Sequence, residues 1–198
     1  RDWSSDVCSS DLGKSAVAAI LRDLGCVVSD SDRDAREVMA DPEVLEILRS
    51  WWGEGIVGSD GRLDRAAVAD RVFADEDERR RLEDLVHPRL HRLRETRFEA
   101  APEDVTALVL DAPLLFEAGL DARCDGVIFV DAPREIRAER VRRTRGWGDE
   151  ELARREAAQA PLAEKRARAT EVVRNDQDED PALRGRVEAA LGRILRSI

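Results

Sequence analysis

The sequence predicts an α/β domain, a parallel sheet flanked by helices with a helical insertion. Helical patterns alternate with short apolar strands through most of the chain, the order required by a parallel sheet covered by helices. Three helical patterns also follow one another without a strand between them, which marks the insertion. With 198 residues there is room for one compact domain with a sizeable core, and two full domains would be a squeeze.

In chain order, "KSAVAAILRDLG" carries apolar residues at helical spacing and closes on Gly25, a residue suited to the position just past a helix end. "CVVSD" is a short buried strand. "DPEVLEILRSWWG" and "RLDRAAVADRVF" read as amphipathic helices separated by the glycine-rich "GEGIVGSDG", and "DEDERRRLEDLVHPRLHRLRETRFEA" as a long helix interrupted near Pro88. "VTALVLDAP" and "DGVIFVDAP" are the clearest strands, each ending in Asp-Ala-Pro. "REIRAERVRRTRG" is a very basic helix, "DEELARREAAQAPLAEKRARA" a helical pair broken at Pro161, "EVVRND" a last strand and "PALRGRVEAALGRILRSI" a terminal helix. "DQDED" reads as a solvated loop.

A net charge of -10 argues against a protein whose main work is holding a nucleic-acid backbone, because that needs a basic face. Cys8, Cys26 and Cys124 are scattered and form no CxxC pair, so neither a disulfide framework nor a zinc site is expected. There is no apolar run of 18 residues and no secretory signal, so a soluble cytoplasmic protein without a membrane partner is expected. Of the 33 basic residues only Lys14 and Lys165 are lysine. Lysine is a compact ammonium on a flexible stem and suits a point contact to phosphate oxygens, and Lys14 stands where such a contact is made.

A phosphate loop has the pattern G-x-x-x-x-G-K-[ST], whose backbone N–H groups close around the phosphates. Gly13, Lys14 and Ser15 fit it, but Cys8 takes the first glycine's place and Asp11 puts a carboxylate in the path of an anion. Asp30 and Asp32 lie just past a strand end, where a carboxylate can take the proton of an attacking hydroxyl, or can cap the helix starting near Arg33. Asp111, at the end of "ALVLD", can sit beside magnesium or simply make the turn that Asp131 repeats. Arg140 and Arg145 are the best-placed arginines of the basic helix for neutralising phosphoryl charge. The rest of that helix reads as a solvated face. His87, beside Pro88, reads as part of a helix kink whose imidazole caps freed carbonyls. Trp51 and Trp52 are adjacent and cannot share one helical face, so one belongs to the core.

The ordered set "GKS" at 13, "LGCVVSDSDRDAREV" from 24, "DGRLDRAAVADRVFAD" from 60, "LEDLVHPRL" from 82, "DAPLLFEAGL" from 111, "VIFVDAP" from 127, "RVRRTRG" from 140, "AAQAPLAEKRARA" from 157 and "VVRND" from 172 resembles the dephospho-coenzyme A kinase family. The resemblance covers nearly all of the chain after Leu12. It implies a P-loop kinase-like fold with a coenzyme-binding helical insertion at approximately 41–100 and a lid at approximately 137–160, in a single domain over 1–198. It implies transfer of the γ-phosphoryl group of ATP to the ribose 3'-hydroxyl of dephospho-coenzyme A, with Mg2+, by a monomer. Carried over by position, Lys14, Asp32 and Arg140 are catalytic, with Asp32 the base or positioning carboxylate. Gly13, Lys14, Ser15, Ala16, Arg145 and Asn175 hold the nucleotide, and Ser15 and Asp111 the metal. Asp32, His87, Glu117 and Gln159 contact substrate, Gln159 in a motif near the nucleotide end.

The family has an apolar first strand and a glycine-rich loop where this chain reads "RDWSSDVCSSDL". Residues 1–12 are therefore expected to be non-native, translated adapter DNA fused to a truncated frame. Finding them encoded in the genome, on resequencing the 5' end of the gene, would sink that expectation. ATP binding is expected to be impaired in consequence. The rival readings are a nucleoside monophosphate or other small-molecule kinase, and a non-catalytic nucleotide- or coenzyme-binding module.

Overall fold

The computed structural model describes residues 12–157, 159–178 and 180–198. The expectations for Cys8 and Asp11, and for the foreign origin of residues 1–11, lie outside these residues. The described chain divides into two compact units, one containing residues 12–28 with 105–198 and the other containing Ser29–Asp104.

In the first unit, helix α1 (Lys14–Asp23) follows Gly13, whose φ of 81° is left-handed. Val17, Ala18 and Leu21 form its buried face, and the chain then turns through Gly25 at φ 83°. Strand β1 (Val27–Asp30) begins here and pairs with β2 (Leu108–Asp111), with Val27 N–H donating to the carbonyl of Ala107 at 3.0 Å. Strand β3 (Ile128–Asp131) pairs in parallel with β4 (Glu171–Arg174), in register Ile128 to Glu171 and Asp131 to Arg174. The single sheet of the sequence reading is thus described as two pairs of strands among the described residues.

Between the strands of the second pair run α6 (Arg134–Arg145), α7 (Asp149–Glu156) and α8 (Leu162–Arg168), and α9 (Leu183–Leu195) closes the chain. Leu12, Val17, Leu21, Cys26, Phe129, Val130, Val173, Val187 and Leu191 are buried in one core, with Val28 and Val109 packed against it. Burial pushes the Cys26 thiol up, against a lowering hydrogen bond with the backbone at Ala107.

The second unit holds α2 (Ser31–Met39), α3 (Pro42–Trp52), α4 (Arg65–Ala74) and α5 (Glu76–Glu99). Each is started by an aspartate whose carboxylate accepts backbone N–H groups of the first turn, namely Asp30, Asp41, Asp64 and Asp75. Among the described residues, the five α-helices of the first unit have no such side-chain cap. The glycine-rich stretch between α3 and α4 makes a 3-10 turn at Glu54–Ile56 and an antiparallel bridge from Val57 to Leu63.

Helix α5 corrects the expectation of a break near Pro88, for it runs unbroken through that proline. Leu82 and Val86 before it are buried, and Leu90 and Leu93 after it pack on the same core, so burial on both sides offsets the lost hydrogen bond. Pro88 and His87 are exposed, and among the described residues the imidazole caps no helix carbonyl. Trp52 is the tryptophan that enters the core; Trp51 is half-buried beneath the Arg81 guanidinium, 4.0 Å from its ring centre. Among the described residues no helix is long and apolar enough to cross a membrane.

Candidate active site

At Gly13, Lys14 and Ser15 the backbone geometry comes first. A Cβ on Gly13 would collide with Asn175 Nδ2 and would stand 3.3 Å from Arg140 Nη1. Glycine is therefore required for space as well as for its left-handed φ. Asn175 reaches this point because its backbone N–H donates to the carbonyl of Asp131 at 2.8 Å, just beyond β4, while its Nδ2 donates to the carbonyl of Leu12 at 3.0 Å.

Lys14 opens α1, and its ammonium lies 3.2 Å from Asp111 Oδ1 at the end of β2. Ser15 and Ala16 follow on the exposed first turn, where Ala16 N–H donates to the carbonyl of Gly13 at 3.1 Å. Among the described residues no side chain caps this end of α1. The repeated Asp-Ala-Pro turn now separates into two roles, since Asp131 pairs instead with Arg166 at 3.1 Å.

Arg140 is buried and joins the same place. Its Nη2 donates to Asn175 Oδ1 at 3.2 Å, and its Nε donates to Asp178 Oδ1 at 2.9 Å. Arg143 holds the other oxygen of Asp178 at 2.6 Å. Hydrogen bonds from Arg143 and then Arg140 keep the Asp178 carboxyl below the usual carboxylate range. Arg145 lies at the exposed end of α6, its guanidinium 4.8 Å from the ring centre of Trp147, which Arg155 approaches to 4.2 Å.

A second cluster in this unit gathers Glu117, Gln159 and Lys165. The Lys165 ammonium lies 2.6 Å from Glu117 Oε1 and donates to Gln159 Oε1 at 3.2 Å. Glu117 Oε1 also accepts the N–H of Ala160 at 3.1 Å. Burial pushes the Glu117 carboxyl up, but the bonds from Lys165 and the backbone outweigh it and hold it below its ordinary value.

In the other unit, Asp30 is the carboxylate that caps α2. Asp30 Oδ1 accepts the N–H groups of Asp32 and Arg33, both at 3.0 Å, which puts Asp32 in the first turn of α2 with its carboxylate not used as the cap. Behind it, Asp34 is 1 % exposed and is gripped by Arg97 of α5 and the hydroxyl of Ser29.

The structure thus brings Gly13, Arg140 and Asn175 together, joins Lys14 to Asp111, and joins Glu117 to Gln159. Sequence reasoning passed over Lys165, Asp178 and the Asp34–Arg97 pair. Only Lys165 had left a signal, as one of two lysines among arginines.

A family model described as dephospho-CoA kinase matches residues 9–180. The chain belongs to the dephospho-CoA kinase family. The match begins inside the segment 1–12 that departs from the family's loop pattern. The dephospho-CoA kinase of Deinococcus radiodurans is 42% identical over 187 residues, covering 92% of this chain and 87% of that one. That of Anaeromyxobacter dehalogenans is 43% identical over 166 residues, covering 82% and 78%. Among solved structures, TT1252 from Thermus thermophilus superposes with a TM-score of 0.78 at 38% identity, covering 95% of this chain and 93% of that one. The Campylobacter jejuni dephospho-CoA kinase, at 21% identity, a TM-score of 0.66 and coverage of 93% and 92%, shares the fold.

Proposed function

We propose that this chain transfers the γ-phosphoryl group of ATP to the ribose 3'-hydroxyl of dephospho-CoA, giving CoA and ADP, the last step of CoA biosynthesis. The observation that carries the reading, beside family membership, is the Lys14–Asp111 pair at the uncapped start of α1 behind a left-handed Gly13. The α1 N–H groups and the Lys14 ammonium bind the phosphates, and Arg140 neutralises the charge that develops on the transferred group. The Asp32 carboxylate takes the 3'-hydroxyl proton as that oxygen bonds to the γ-phosphorus. The bond from phosphorus to the β–γ bridging oxygen breaks, and ADP leaves with that electron pair.

A hydroxyl and a carboxylate are hard oxygen donors of the kind magnesium takes, so Ser15 and Asp111 fit it. Among the described residues no group of three or more His, Cys, Asp or Glu gathers to hold a metal, so Ser15 and Asp111 would be the chain's own contribution to holding the ion. Bound there, the ion would supply charge neutralisation to the phosphates. His87, Glu117 and Gln159 contact the substrates, and Ala16, Arg145 and Asn175 contact the nucleotide. The Ser29–Asp104 unit contains the coenzyme-binding insertion, and 137–160 acts as the lid. The chain works as a monomer in the cytoplasm, and its net charge of -10 argues against a nucleic-acid partner.

With "CSSDL" in place of a glycine-rich turn, ATP binding is weak. Each lost charge-assisted hydrogen bond removes about 1.5 to 3 kcal/mol. Calorimetric titration with dephospho-CoA, with AMP as control and near-UV circular dichroism for folding, tests the function without needing turnover. Selective binding of dephospho-CoA supports it; a folded chain that takes AMP and ignores dephospho-CoA points to a nucleotide kinase. Replacing residues 1–12 with a glycine-rich loop should restore ADP production, and no production would favour a non-catalytic binding module.

A further inference from the structure

Lys165 is the more deeply buried of the two lysines, at 5 % exposure, in a chain that otherwise uses arginine. Its ammonium spans two segments far apart in sequence, the turn after β2 that carries Glu117 and the link between α7 and α8 that carries Gln159. The bond from Ala160 N–H lands on the same Glu117 oxygen, so that oxygen ties three points of the chain. A guanidinium is a planar fork and makes a wider contact, whereas a compact ammonium can satisfy two oxygens in a dry, narrow place.

We propose that Lys165 is a positioning residue for the acceptor substrate, fixing the Glu117 turn against the Gln159 link so that both side chains meet dephospho-CoA in one arrangement. This rests on the functional reading above, in which Glu117 and Gln159 contact substrate. The Glu117 carboxylate, whose side chain keeps 25% of its surface, offsets the burial of the Lys165 ammonium. Removing the ammonium leaves Glu117 with a backbone donor and no counter-charge.

The test compares the full chain with Lys165→Met, which keeps the length of the side chain and removes its charge. Dephospho-CoA affinity is measured by calorimetry at several pH values, and amide exchange is followed at Ala160. The expected result is affinity reduced roughly tenfold or more, with faster exchange at Ala160. The Lys165 bond is the strongest influence lowering the Glu117 carboxyl, so without it the loss of affinity should deepen as pH falls from neutral. General loosening would not impose that titration. If Lys165→Met does not fold, Glu117→Gln keeps the oxygen acceptor and the volume, and should lose affinity in the same direction by less. A folded variant with unchanged affinity, or with a loss that does not vary with pH, overturns the proposal. A folded parent chain that binds no dephospho-CoA overturns the functional reading instead. Exchange at Ala160 then decides the tie alone, and an unchanged rate overturns it.

Discussion

Among the described glycines, Gly13 leaves the least room for a side chain. Gly13→Ala would hold an L side chain in the left-handed region, costing about 1 to 2 kcal/mol, and would push Asn175 off the carbonyl of Leu12. A lower thermal midpoint, together with weaker nucleotide binding, is the expected outcome in a melting experiment. Glu117 makes a pH-dependent contribution. Its folded carboxyl lies below its ordinary value, so its stabilisation is present above that value and is lost as pH falls through the folded one. Glu117→Gln should therefore flatten the acid limb of the stability curve, measured by thermal melts from neutral pH downward. Lys14 was legible because lysine is scarce in this chain. Lys165 carried the same signal without a motif beside it, and its partners lie 48 and 6 positions away, where no local pattern reaches. Asp178 was read within a solvated loop, and it is half true: the carboxylate is exposed, yet two arginines of α6 hold it.

At the scale of elements, what a helix needs locally was readable and what crosses between helices was not. The aspartate that starts α3 precedes a proline, the one that starts α4 stands just before apolar periodicity, and the one that starts α5 leads into an acidic first turn of Glu76, Asp77 and Glu78, so each beginning is written into a few adjacent residues. The tie between α2 and α5 joins Asp34 to Arg97 across 63 positions, and nothing local announces it. Arg97→Met should cost about 3 to 5 kcal/mol in urea unfolding, because it strands a buried carboxylate. Converting both residues to apolar ones, Asp34→Leu with Arg97→Met, should cost much less. Pro88 gives the opposite sign. It interrupts the backbone ladder of a helix that stays whole, on an exposed face, so Pro88→Ala should stabilise the chain by about 1 to 3 kcal/mol by the same measurement.

For the whole molecule, the α/β class followed from the alternation of patterns, while the division at Ser29 and Asp104 did not. The boundary falls inside β1, a strand that periodicity treats as one piece. Ligand binding to the native chain alone should raise its stability by mass action, by about 2.7 kcal/mol at a hundredfold excess over Kd. Dephospho-CoA should produce that shift in a thermal melt and AMP should not. The contrast between the two lysines has a practical consequence. Apart from two histidines every other basic side chain is a guanidinium, so a reagent selective for primary amines can find only Lys14 and Lys165 among the side chains. The first keeps 20% of its side-chain surface and the second 6%. The chain thus carries its own footprinting tag beside Gly13, and mass spectrometry of the acylated peptide would count, molecule by molecule, how often that ammonium is covered.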